Sequence, residues 1–294
     1  MSASDLTPNL TVIVPCLNEE RSIGRQLSAL AAQEWERPWE VLVVDNGSDD
    51  GSVAVVESFA GRVPGLRVVD ASEKRSQAHA LNVGVHQARA DAVAFCDADD
   101  EVARGWVAAM GDALLAHELV GCAADSENLN EPWVRDVRVL ERDRPATLWF
   151  PPYLPFAGSG GLGVHRRVHG RLGGFDESLP VLFDVDFCVQ AQKFGAEFTH
   201  VPGAVVHYRF RHAWREIFGQ ARKYALYGAS LQKRHKSPDA HFPDLAKWAL
   251  TGWRPVLGSL ARIWSRAARA KLAWQLGWLL GRYQGSLRYR VRAV

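Results

Sequence analysis

Ala92-Val93-Ala94-Phe95-Cys96-Asp97-Ala98-Asp99-Asp100 is the stretch on which the reading of this chain turns. Its first five residues are apolar throughout, as in a strand covered on both faces, and three carboxylates follow within four positions. Unpaired carboxylates are costly to bury, so the cluster needs water, cations or protons. Asp-x-Asp in a turn lets two carboxylates converge on one hard divalent ion, and such an ion holds a phosphate-bearing ligand. The plain alternative is a solvated turn, where Asp is common in any case.

Upstream, strand-like and helix-like patterns alternate. Strands are expected over 10–15, 40–44, 66–69 and 92–96, and helices over 19–32, 52–60 and 76–89. In the first helix Ile23, Leu27 and Leu30 share one face. This order predicts an α/β fold with a doubly wound, mostly parallel sheet. Ligands in such sheets bind beyond the carboxyl ends of the strands. The polar segments 15–20, 45–50 and 97–100 all fall there. Downstream the pattern predicts a helix over 104–117, a strand over 119–124, a loop over 150–155, a glycine-rich stretch over 158–163, a helix over 185–194 and a strand over 204–210. From Ala213 the chain reads helical, with a break over 235–243.

With 294 residues the chain can hold one large α/β domain and an appendage, or two domains. Its composition, 47% hydrophobic and 23% charged, excludes a disordered chain. The net charge of +2 conceals an asymmetry. Residues 213–294 carry 16 Lys and Arg against 3 Asp and Glu, while the first 212 carry 19 against 30. The tail also holds six of the eleven Trp. Cys16, Cys96, Cys122 and Cys188 are dispersed with no C-x-x-C pair, which predicts buried thiols in a reducing compartment. Residues 1–9 lack an apolar core, so no signal peptide is expected, and no uncharged apolar run reaches ~18 residues.

Several motifs then fall in a familiar order. They are Thr11-Val12-Ile13-Val14-Pro15-Cys16-Leu17-Asn18-Glu19-Glu20, Val43-Val44-Asp45-Asn46-Gly47-Ser48, Leu81-Asn82-Val83-Gly84 and Asp97-Ala98-Asp99-Asp100. Gly173-Gly174-Phe175-Asp176-Glu177 and Phe183-Asp184-Val185-Asp186-Phe187 follow. Over residues 10–212 the chain resembles the family 2 glycosyltransferases, which adopt the GT-A fold. The resemblance implies a core over 1–212, with a nucleotide-binding half (1–100) and an acceptor half (101–212); the helical, basic and Trp-rich 213–294 is expected as a separate region. It implies an inverting transfer from a UDP- or dTDP-sugar to a hydroxyl acceptor, whether a lipid-linked or cell-envelope glycan or a small metabolite.

Residue roles follow from the same resemblance. Asp45 takes the nucleobase, while Pro15, Asn18 and Glu19 line the nucleoside pocket. Asp97 serves the ribose and, with Asp99, a Mn2+ or Mg2+ ion; His207 completes the metal site, with His200 and His212 as weaker rivals. Lys74 and Arg75 meet the nucleotide as cations, or form a solvated loop. Gly174 lies on the substrate side. Asp184 occupies the position of the general base, but Phe183 replaces the family's usual acid there, so Asp186 stays open for that role.

Three rival readings are weaker. Gly158-Ser159-Gly160-Gly161-Leu162-Gly163 satisfies G-x-G-x-x-G, but prolines precede it and Val164 follows, where a dinucleotide fingerprint needs a strand and then a helix. A nucleotidyltransferase would place glycines over 15–20, where there are none. A non-catalytic nucleotide-sugar-binding protein would have no use for Asp184. In the tail, Trp248, Trp253, Trp264, Trp274 and Trp278 alternate with Lys247, Arg254, Arg262, Arg266, Arg269 and Lys271. A helix face of Ile263, Trp264, Ala267, Ala270 and Trp274 suits a membrane interface, which predicts peripheral contact through 244–294 at the inner face of the cell membrane of a cytoplasmic protein. The competing expectation is a solvated helical subdomain. No nucleic-acid motif accompanies the charge, so nucleic acid is not expected as a partner.

Overall fold

Seven consecutive buried residues, Leu10–Cys16, form the central strand β1. A computed structural model of the chain describes residues 7–135, 137, 140, 142–235, 250, 252–260 and 263–293. Two compact units emerge. The first comprises Met1–Asp125, Glu141–Ala146 and Pro155–Tyr208, and the second Ser126–Leu140, Thr147–Leu154 and Arg209–Val294.

In the first unit α1 (Ile23–Ala31), β2 (Trp39–Asp45), α2 (Ser52–Glu57), β3 (Arg67–Asp70), α3 (Gln77–Gln87) and β4 (Ala92–Phe95) follow β1. Then come β5 (Glu101–Val102), α4 (Trp106–Ala116), β6 (Leu119–Asp125), β7 (Leu162–His165), α5 (Arg166–Leu172), α6 (Phe183–Lys193) and β8 (Phe198–His207). The eight strands form one sheet in the order β3-β2-β1-β4-β7-β6-β8-β5. The half formed by β3, β2, β1 and β4 is parallel as expected, with Cys16 opposite Asp45 and Ile13 opposite Phe95. That register brings the ends of β1, β2 and β4 to one edge of the sheet.

The other half is mixed. β7 runs antiparallel between β4 and β6, β8 is parallel to β6, and β5 is antiparallel to β8. The sequence reads 158–163 only as a glycine-rich stretch, yet Leu162–His165 is a mostly buried strand in the middle of the sheet. Its glycines mask the periodicity on which strand prediction depends. The short helix α5 was hidden in the same way, by its basic, poorly amphipathic sequence. The core on one face joins Ile23, Leu27 and Leu30 of α1 to Trp106, Met110 and Leu114 of α4. All four cysteines are free, three of them buried.

The second unit contains α7 (Trp214–Arg234), α8 (Trp253–Leu260) and α9 (Arg266–Tyr289). α7 and α9 pack through small residues. A methyl placed on Gly277, Gly281 or Gly285 of α9 would lie 2.3, 2.1 or 2.7 Å from the carbonyl oxygens of Phe218, Arg222 and Leu226. Ala221, Ala225 and Ala229 of α7 face the same glycines. The two backbones thus approach more closely than side chains permit, as in small-x3-small helix pairs. Ile263 and Trp264 precede α9, which is capped by Ser265, so they do not share a helical face with Ala270 as the sequence suggests. Ala270 is buried, and Trp274 packs on Trp278 and Tyr224. Lys247, Trp248 and Arg262 lie outside the described residues.

Candidate active site

β4 ends at Phe95, and the turn after it gathers Asp97, Asp99 and Asp100, with one oxygen from each within 4.8 Å of the others. Asp97 and Asp99 are half-buried and Asp100 is buried. Two side-chain amides, the buried Gln26 and the exposed Gln77, shape this turn. Gln26 of α1 donates through Nε2 to the Asp97 carbonyl (3.0 Å) and accepts from the Val102 amide (3.0 Å). Gln77 of α3 donates to Asp97 Oδ1 at 2.9 Å. The donor set is all carboxylate oxygen, which fits a hard divalent cation such as Mg2+ or Mn2+.

The glycine-rich turn before β7 lies against this cluster. A methyl on Gly160 would sit 2.8 Å from Asp97 Oδ2 and 3.3 Å from Asp100 Oδ2. On the other side of the same turn, the Ser159 amide donates to Asp184 Oδ2 at 2.8 Å, and the Val185 amide to Asp184 Oδ1 at 2.8 Å. Burial raises the Asp184 pKa above the ordinary carboxylate value, against the opposing pull of those two amides. Asp186 is buried on α6 and accepts from Gln190 Nε2 at 2.6 Å, an i,i+4 contact within the helix. Asp184 and Asp186 thus part company: the former faces the glycine turn.

At the end of β2, Asp45 accepts from the Ser48 amide at 3.2 and 3.3 Å. Asn18 and Glu19 bind the loop that follows. The Asn18 amide donates to Ser48 Oγ (3.0 Å), Asn18 Oδ1 accepts from the Asp49 amide (2.9 Å), and the Glu19 amide donates to Ser52 Oγ (2.7 Å). Pro15 is buried in β1 opposite Val44. Lys74 Nζ pairs with Glu177 Oε2 at 2.8 Å, and Arg75 Nη2 donates to the Gly47 carbonyl at 2.9 Å. Gly174, at φ +85°, belongs to a turn whose next residue, Phe175, donates its amide to Asn82 Oδ1 at 2.8 Å. His207 lies outside the acidic trio; its Nδ1 is 3.3 Å from Asp125 Oδ2. His200 Nε2 is 3.1 Å from the Arg142 carbonyl.

A family model described as glycosyl transferase family 2 matches residues 11–173, more than half of the chain. The chain belongs to glycosyl transferase family 2. A pre-mycofactocin glycosyltransferase of Mycobacterium tuberculosis is 28% identical over 280 residues, covering 87% of this chain and 55% of the relative. The chain therefore spans about half the length of that curated relative. Among solved structures, the mannosyltransferase PcManGT from Pyrobaculum calidifontis, in complex with GDP-Man and Mn2+, aligns with a TM-score of 0.63 at 20% identity. That alignment covers 96% of this chain and 88% of the other. TarS of Staphylococcus aureus, in complex with UDP-GlcNAc, aligns with a TM-score of 0.52 at 17% identity over 93% and 91%. Both likenesses establish the GT-A fold.

In this family 2 glycosyltransferase the sequence leaves several site-building residues unmarked. Asn46, buried beside Asp45, donates to the carbonyls of Ala71 (2.6 Å) and Lys74 (2.8 Å) and accepts from the Ser76 amide (2.7 Å). It thereby pins the whole 71–76 loop. Gln26 and Gln77 brace the acidic turn in the same manner, while Ser159 holds Asp184. Asn46 carries a readable signal, because it follows Asp45 directly in a polar strand end. The two glutamines carry none, since their partners lie 20 or more residues away.

Proposed function

We propose that this chain transfers a sugar, with inversion, from a UDP- or dTDP-linked donor to a hydroxyl acceptor. The acceptor class comprises lipid-linked glycans, cell-envelope polysaccharides and small hydroxylated metabolites. One observation carries the reading: the turn over 158–161 touches the Asp97–Asp99–Asp100 cluster on one side and Asp184 on the other. A leaving diphosphate and an attacking hydroxyl need such neighbouring stations.

Asp97 and Asp99 would hold a Mn2+ or Mg2+ ion, with Asp100 within reach and His207 retained as a ligand on the opposite strand. That ion, when bound, supplies Lewis-acid neutralisation of the diphosphate. Asp45 accepts a ring N–H of the nucleobase, in a pocket walled by Pro15, Asn18 and Glu19. Lys74 and Arg75 offer cations beside it, and Gly174 lines the substrate side. Asp184 takes the proton of the acceptor hydroxyl as the C–O bond to the sugar forms and the bond to the diphosphate breaks. Its raised pKa makes it a stronger base than an exposed Asp. Asp186, turned to Gln190, orders α6 beneath it. The basic tail makes peripheral contact with the inner face of the cell membrane, where lipid-linked acceptors reside.

The test compares Asp99→Ala with Asp184→Asn. Both should lose transfer by more than about a hundredfold, the scale of one catalytic acid–base group. Only Asp99→Ala should weaken Mn2+-dependent nucleotide binding in calorimetry. Full turnover by Asp184→Asn would remove it as the base.

A further inference from the structure

We propose that α8 (Trp253–Leu260) is the membrane-docking element, lying flat in the headgroup layer of an anionic lipid bilayer. The proposal rests on reading the tail as membrane-contacting, and it moves the contact from the face read in the sequence to a different helix.

Helix α8 has two faces. Val256 and Ser259 point inward and are buried, and Ser259 Oγ donates to Gln275 Oε1 of α9 at 2.8 Å. That hydrogen bond fixes the rotation of α8 on α9. Trp253, Leu257 and Leu260, at i, i+4 and i+7, are left on the outer side with exposures of 42%, 61% and 45%. Leu250 before the helix and Trp264 after it are 66% and 91% exposed. Large apolar residues this exposed are individually ordinary, but with Ile263 there are six over 15 residues around one short helix, which makes a patch.

The occupant follows from charge and length. Arg254 is exposed beside Trp253, and the surrounding 82 residues, 213–294, carry 16 Lys and Arg against 3 acids. An apolar stripe with Trp at its end, in so basic a setting, complements anionic headgroups above acyl chains. No helix among the described residues is long and apolar enough to cross a membrane, so insertion stops at the interface.

The experiment uses the full chain and phosphatidylcholine vesicles made with or without phosphatidylglycerol. The chain should float with the phosphatidylglycerol vesicles, less so at high salt. Trp253→Gln/Leu257→Gln/Leu260→Gln should lower the partition coefficient by about tenfold or more, since three side chains leave the acyl layer. Circular dichroism and Mn2+-dependent nucleotide binding should be unchanged, which separates loss of docking from loss of the sugar-transfer reading. Arg254→Glu, a surface change, should lower binding to anionic vesicles and leave binding to neutral ones unaffected. Equal flotation of the triple variant and the native chain would overturn the proposal, as would failure of the native chain to float. A dimer that the triple variant dissociates, with no vesicle binding, would assign the stripe to a second copy instead.

Discussion

The acidic turn and Asp184 converge on a residue without a side chain. Gly160 allows the turn backbone to lie directly against Asp97 and Asp100, while its neighbour Ser159 holds Asp184 by its amide. A methyl group at 160 must displace the Asp97 carboxylate, because the turn itself is anchored by the Ser159–Asp184 hydrogen bond. Gly160→Ala should therefore weaken Mn2+-dependent nucleotide binding by about tenfold, the usual cost of disturbing a group that orients a metal ligand. Calorimetry with and without Mn2+ checks this; unchanged Mn2+ dependence would show that Asp97 is not a ligand. The sequence singles out Asp97, Asp99 and Asp184 because each ends or begins an element and stands in a recognisable motif. It left Asp100 aside, although the backbone turn folds that carboxylate back into the cluster. Turn geometry of that kind is not encoded in residue type alone.

Among the elements, the parallel strands were legible and the inserted one was not. β4 is wholly apolar and β1 and β2 nearly so, with Thr11 and Glu40 near their starts, so burial on both faces is written in their composition. β7 is short and half of its sequence is shared with a glycine turn, so only its position in the sheet makes it a strand. The α7–α9 pair is a middle case. Gly277-x3-Gly281-x3-Gly285 is visible in the sequence, yet its significance depends on the alanine row that faces it. Gly281→Ala would drive a methyl into the Arg222 carbonyl, and the two helices must separate to admit it. Destabilisation of about 1–3 kcal/mol is expected, as for other overpacked contacts. Gly258→Ala on α8 meets nothing within 4 Å and should stabilise by up to about 1 kcal/mol through helix propensity. Urea unfolding of both variants, followed by far-ultraviolet circular dichroism, separates close packing from a general intolerance of alanine.

At the scale of the whole molecule, the charge asymmetry marked the C-terminal region as distinct, but it could not reveal that 126–140 and 147–154 fold with it. Those short segments have neither the length nor the periodicity to announce their partners. The response to acid is also a property of the assembled fold. His169 is buried, with Nε2 3.0 Å from Asn82 Oδ1 and with Phe175 and Phe187 around it. Asn82 Oδ1 is an acceptor, so Nε2 carries the hydrogen and Nδ1 is the site of any further proton. Burial, with the Arg166 charge adding to it, pushes the His169 pKa down to about 4. The folded state thus excludes a proton that the unfolded chain binds below pH ~6.5, and stability is lost as pH falls from there toward 4. The loss should reach about 3 kcal/mol, from some two and a half pKa units. Glu177 acts in a lower window. Burial alone would raise its pKa, but hydrogen bonds from Lys74, Asn82 and His79 outweigh that and bring it down to about 2. Its contribution is present above pH ~4.5 and disappears as pH falls toward 2. Thermal melts between pH 7 and pH 3 should accordingly show a two-stage decline. His169→Gln, which keeps a donor toward Asn82, should flatten the upper stage alone, and Glu177→Gln the lower. An upper stage that survives His169→Gln would place the titrating group elsewhere.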